Sequence, residues 1–110
     1  MTIRFKIEYR TSWGEEIVLA LGDKRIAMSY GEGGIWTAEV RTRTPEKIID
    51  APYHYEVRVG GNLLRREWKN RSISGQTGLT AENLPARLEL ADAWSDVPAN
   101  APFHKSAFSG

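Results

Sequence analysis

From Thr2 to Tyr9 the chain reads "TIRFKIEY", with Ile3, Phe5, Ile7 and Tyr9 in one phase and Thr2, Arg4, Lys6 and Glu8 in the other. A period of two sends the two sets to opposite faces of a strand, one buried and one wet. The same pattern predicts further strands. "EIVLAL" (16–21) is short and almost wholly apolar, and "IWTAEVRT" (35–42) directs Trp36, Ala38 and Val40 to one face. "YHYEVRV" (53–59) sets Tyr53, Tyr55, Val57 and Val59 against His54, Glu56 and Arg58, and "ARLELAD" (86–92) points Leu88 and Leu90 inward. Between "YHYEVRV" and "LLRREW" stands "VGGN", which can supply the positive φ angles that a two-residue hairpin turn requires. "GEGG" (31–34) and "TPEKIIDAP" (44–52) read as connections.

No long stretch carries an apolar stripe at helical spacing, and Pro85 interrupts "LTAENLPARL" before a helix could extend. Short strands separated by turn signals predict a mostly β domain, either a β-sandwich or a partly open barrel. After Trp94 the composition changes to "SDVPANAPFHKSAFSG", with two prolines and no alternation. This predicts one module over 1–95 and a linker over 96–110 leading to a following domain. Phe103 and Phe108 then either fold back on the module or begin the next unit.

Composition narrows the function. At 110 residues the chain is the size of one domain, and 15 Lys+Arg against 14 Asp+Glu give a net charge of +1. That balance argues against a surface built mainly for nucleic acid, which needs a concentrated basic footprint. With no cysteine, disulfides, a thiolate nucleophile and a Cys-based zinc site are all excluded. The start lacks an apolar signal core, and no apolar run reaches the roughly 18 residues of a membrane span. The expectation is a soluble cytoplasmic protein with no membrane partner.

A catalytic set is hard to assemble. Glu8, Glu39, Glu56 and Glu89 fall on the outward phase of their strands, where a solvated face is the expected role. Adjacent Glu15 and Glu16 point to opposite faces of a strand and make no acid–base pair. His54 is also on the outward phase and His104 lies in the tail, so no metal-binding spacing exists and no metal or cofactor is expected. "GEGG" lacks the GK[ST] ending of a phosphate-binding loop.

The aromatic residues, 4 Trp, 4 Tyr and 3 Phe, carry more information. Phe5, Tyr53 or Tyr55, Trp36 and Trp94 are in phase with aliphatic neighbours or close a strand, as core residues do. Trp13, Tyr30 and Trp68 instead fall in or beside turns. A flat ring held in a turn and flanked by polar groups suits a sugar: the C–H face of a glucose ring stacks on it, and the hydroxyls reach nearby acceptors and donors. Glu15 and Glu16 flank Trp13, and Glu67, Lys69 and Asn70 flank Trp68. Nucleobases also stack on aromatic rings, and "RREWKNR" is the basic cluster that would serve a single-stranded nucleic acid.

The order of these features resembles the starch-binding domains of carbohydrate-binding module family 20. "TSWGEEI" (11–17) matches the family's first turn, "WTAEV" (36–40) a later strand, "YHYEVRV" the Tyr-rich strand, "EWKNR" (67–71) the segment after it, and "DAW" (92–94) the close. The resemblance covers residues 2 to 94 and implies an antiparallel, immunoglobulin-like β-sandwich of about seven to eight strands. It also implies two glucan sites. Trp68 and Asn70 match part of the first, with Lys69 beside them. The "LALGDKRIAMSY" loop is short and has no tryptophan, however, and Glu56 stands where the family carries a lysine. Trp13 and Tyr30 match the aromatic pair of the second site, while Trp36 and Trp94 match positions that are mainly structural.

The shortened loop and the tail "PFHKSAF" further resemble the first of the tandem modules that precede the catalytic domain of some 4-α-glucanotransferases of glycoside hydrolase family 77. This implies a non-catalytic module binding α-1,4-glucan (starch, glycogen or maltooligosaccharide), with the catalytic residues in downstream domains of the same polypeptide. The alternative is a structural module that has lost its sugar sites and packs on its neighbours.

Overall fold

The computed structural model describes residues 1–67 and 69–95, and within them two four-stranded sheets form a β-sandwich. One sheet runs in the order β4 (Ser29–Tyr30), β5 (Ile35–Arg41), β1 (Thr2–Glu8), β8 (Arg87–Ala93). The other runs β3 (Lys24–Ala27), β2 (Glu15–Leu21), β6 (Tyr53–Val59), β7 (Asn62–Arg66). The core is built on the alternation read above for β1 and β6: Ile3, Phe5 and Ile7 of β1 and Tyr53, Tyr55 and Val57 of β6 meet Ile17 and Leu19 of the apolar β2, all fully buried. Burying each such side chain contributes about 1.5–3 kcal/mol. Register follows from this burial, because a one-residue slip of β1 against β5, where Phe5 faces Ala38, would turn the apolar face outward. Val59 and Asn62 pair across Gly60 and Gly61, whose φ angles of 57° and 85° are those of the expected two-residue hairpin.

Three features differ from expectation. The segment "LALGDKRIAMSY" is not simply a loop: it contains the end of β2 and the edge strands β3 and β4, and the chain passes from one sheet to the other at Met28, which is buried and donates its N–H to the Ile17 carbonyl. As edge strands, β3 and β4 leave most of their side chains exposed, so they lack an alternating signature. The sandwich is not wholly antiparallel either, because β8 runs parallel to β1, with Phe5 facing Leu90. No hairpin joins these two strands; the connection from β7 passes through a short helix α1 (Ile73–Thr77), which frees β8 from the antiparallel direction. This helix is anchored by fully buried Ile73, capped by Ser72 Oγ accepting the Gly75 N–H, and ended by Gly78 at φ 74°. Five residues are too few to display a helical stripe.

The third difference is chemical. Glu56 and His54 lie on the outward phase of β6, yet both are buried, Glu56 to 2% exposure. Other side chains of the outer face close over them: His54 Nε2 lies 2.9 Å from Glu56 Oε2, Arg58 Nε donates to Oε1 at 2.9 Å, and Arg25 Nε lies 3.4 Å from the same oxygen. Burial pushes the Glu56 carboxyl up, but the bonds from His54 and Arg58 and the charges of Arg25 and Arg58 outweigh it and hold the group below its ordinary value. A carboxyl lowered in the folded state adds stability that is present above its unfolded pKa and is lost as pH falls through the folded one. The wild type's resistance to urea is therefore expected to fall as pH drops below about 4.5. The acid-induced loss should be smaller in Glu56→Gln, and equal losses in the two proteins would contradict this assignment.

Candidate functional site

Strand β1 ends at Glu8, and the chain must reverse before β2 begins at Glu15. The reversal is tightly held. Tyr9 N–H donates to the Gly34 carbonyl at 2.9 Å, Ser12 N–H donates to Glu15 Oε1 at 2.8 Å, and Glu15 N–H returns a bond to the Ser12 carbonyl at 3.0 Å. Ser12 and Glu15 thus clamp the two residues between them, Trp13 and Gly14. Gly14 has φ 88°, the left-handed conformation that a type II turn demands at its third position. The clamp leaves the Trp13 indole with nothing to pack on, and its relative exposure is 101%.

A second ring stands across the gap. Tyr30, at the end of β4, is 61% exposed and pairs with Trp36 of β5 in the ladder. The two rings meet edge to face, with centroids 5.2 Å apart and planes at 66°. Trp36 is buried and backs Tyr30 from the core side, so Tyr30 is supported while its outer face stays open. Gly33 and Gly34, at φ 71° and 79°, turn the chain into β5 without adding side chains to the gap. The result is an open groove of about 670 Å³ lined by Arg10, Trp13, Gly14, Glu15, Tyr30 and Trp36 among others, within the size range of small-molecule sites.

Of the residues singled out in the sequence, Trp13, Tyr30 and Glu15 converge on this groove. Glu16 is exposed but does not line it, since alternation along β2 turns it away from Glu15. Lys69 and Asn70 are exposed elsewhere, and Asn70 Oδ1 accepts a 2.7 Å bond from Arg66 Nη2. Trp68 lies outside the described residues. Glu56 is buried in its ionic cluster. Trp94 is half-buried, and its ring packs 4.6 Å from that of Tyr9. Arg10 lines the groove with no sequence pattern to announce it, since it follows β1 in an irregular segment.

Among the described residues the groove contains one carboxylate, Glu15, and these residues offer no pair for acid–base chemistry. Among the described residues no group of three or more His, Cys, Asp or Glu side chains is placed to hold a metal, and no helix is long and apolar enough to cross a membrane. What the groove provides is two aromatic faces and polar groups between them.

No protein-family profile matches the sequence, and no curated protein matches it. Among solved structures, the chain is similar in fold to part of the glucoamylase of Hormoconis resinae, with a TM-score of 0.61 and 22% identity over 91% of this chain. The match covers 18% of that enzyme, so the chain spans less than a fifth of its length.

Proposed function

We propose that the chain is a non-catalytic module that binds α-1,4-glucan in the Trp13–Tyr30 groove. The observation that carries this reading is the complete exposure of Trp13 on a turn locked by Ser12 and Glu15. Leaving an indole in water on a rigid support stabilises nothing within the chain, whereas a rigid exposed ring is what a stacked sugar needs. Tyr30 provides a second face, and the Glu15 carboxylate an acceptor for hydroxyls. The likeness of fold to part of a glucoamylase supports α-glucan as the ligand, as does the ordered resemblance to family 20 modules. On the same reading, the module is the first of a tandem pair in a cytoplasmic 4-α-glucanotransferase. Catalysis then belongs to downstream domains, and the module raises the local concentration of polymer.

Calorimetric titration with maltoheptaose or β-cyclodextrin tests the reading. We expect heats that saturate with about one ligand per chain, because Glu56 leaves the other family site without its lysine. An absence of heat at millimolar ligand would overturn it.

A further inference from the structure

We infer that the groove prefers α-glucan bearing a phosphate monoester, with Arg10 as the residue that reads the phosphate; this rests on the glucan reading of the same groove. Arginines that serve the fold here are visibly engaged. Arg58 bonds Glu56 and the Gly61 carbonyl, Arg65 bonds Tyr9 Oη, Arg66 bonds Asn70, and Arg71 is buried among carboxylates. Arg10 is exposed and makes no hydrogen bond or ion pair among the described residues. Arg43 and Arg87 are likewise unengaged, but neither lines the aromatic groove. Arg10 is thus an unengaged arginine that lines the groove together with Trp13 and Tyr30, and among the described residues it is the cation of the lining.

The opposite charge in the groove is already committed in part, because Glu15 Oε1 accepts the Ser12 N–H. It does not neutralise Arg10, from which no ion pair to it is formed. The two charges therefore suit different parts of a ligand. Glu15 accepts hydroxyl protons and repels an anion, while Arg10 offers a planar fork of N–H donors that matches phosphate oxygens in pairs. A neutral glucan uses the rings and Glu15 but leaves the fork with only hydroxyls to meet. A phosphate on a glucose hydroxyl, carrying about −1.5 to −2 charge near neutral pH, fills it.

The test titrates the chain with a phosphorylated amylodextrin and with the same preparation after complete dephosphorylation by phosphatase. The phosphorylated form is expected to bind roughly tenfold more tightly at low salt, and the ratio should shrink as salt is raised. In Arg10→Gln the ratio should fall to about one, and in Arg10→Lys, which keeps the charge without the fork, it should be intermediate. Equal binding of the two preparations would overturn the phosphate inference and leave the glucan reading standing. A preference that survives Arg10→Gln would overturn the role of Arg10. Failure to bind either preparation would remove the glucan reading, and this inference with it.

Discussion

Replacing Trp13 with alanine is expected to weaken maltoheptaose binding by about 2 kcal/mol or more, roughly thirtyfold, while leaving the melting temperature where it was. The two halves of this prediction come from one fact. At 101% exposure the indole contributes no packing to the fold, so its loss removes nothing that holds the sandwich together. All of its apolar area is instead available to a ligand, and stacking of a ring on an aromatic face is worth about 1–3 kcal/mol in the analogous case of nucleobases. Tyr30→Ala makes a contrasting control. It also removes a ring from the groove but uncovers Trp36, against which it packs edge-on, so it should lower both affinity and stability. Calorimetry with thermal unfolding separates the two outcomes. A Trp13→Ala protein that binds as tightly as the wild type would move the site elsewhere, and one that melts markedly lower would show the ring to be structural.

The sandwich was legible wherever one face of a strand is buried and the other is wet. β1 states its alternation outright, and its three inward residues are fully buried. The rule fails where a strand has no buried face or where both of its faces are covered. β3 and β4 are edges and read as loop, while Glu56 and His54 obey the alternation in direction but not in environment, because neighbouring arginines close over them. The parallel placement of β8 depends on how a long connection returns, which no local pattern encodes. At the groove, Trp13 and Tyr30 could be picked out because large aromatics in or beside turns are anomalous. Arg10 could not, because an arginine in an irregular segment is ordinary until its neighbours are known.

The largest effect on stability is expected at Asp92, which sequence pattern marked only as part of a closing motif. Its side chain is 6% exposed and sits at the centre of a network that joins the two sheets. Tyr53 and Tyr55 of β6 donate to its Oδ2 at 2.9 and 2.7 Å, Gln76 donates to Oδ1 at 3.0 Å, and Arg71 Nη1 lies 3.2 Å from Oδ2. Arg71 in turn pairs with fully buried Glu67, which also accepts the Ser95 N–H at 2.9 Å. Asp92→Ala leaves two buried hydroxyls without their acceptor and tips the balance of charge around Arg71. Breaking a buried ion pair from one side costs about 3–5 kcal/mol, against a total of about 5–15 kcal/mol for an ordinary domain. Asp92→Asn keeps an acceptor for the tyrosines while losing the charge, so urea unfolding should place it between the alanine variant and the wild type. Burial, then the Asp92 charge and hydrogen bonds, push both phenols above their ordinary value of 10.0, so they stay protonated in the folded state. A phenol raised on folding adds stability that is present below its unfolded pKa and lost as pH climbs past it. The wild type should therefore weaken above about pH 10, with the tyrosinate absorbance of these two residues appearing only on unfolding. An Asp92→Ala protein as stable as the wild type would show that the network packs without holding the sheets together.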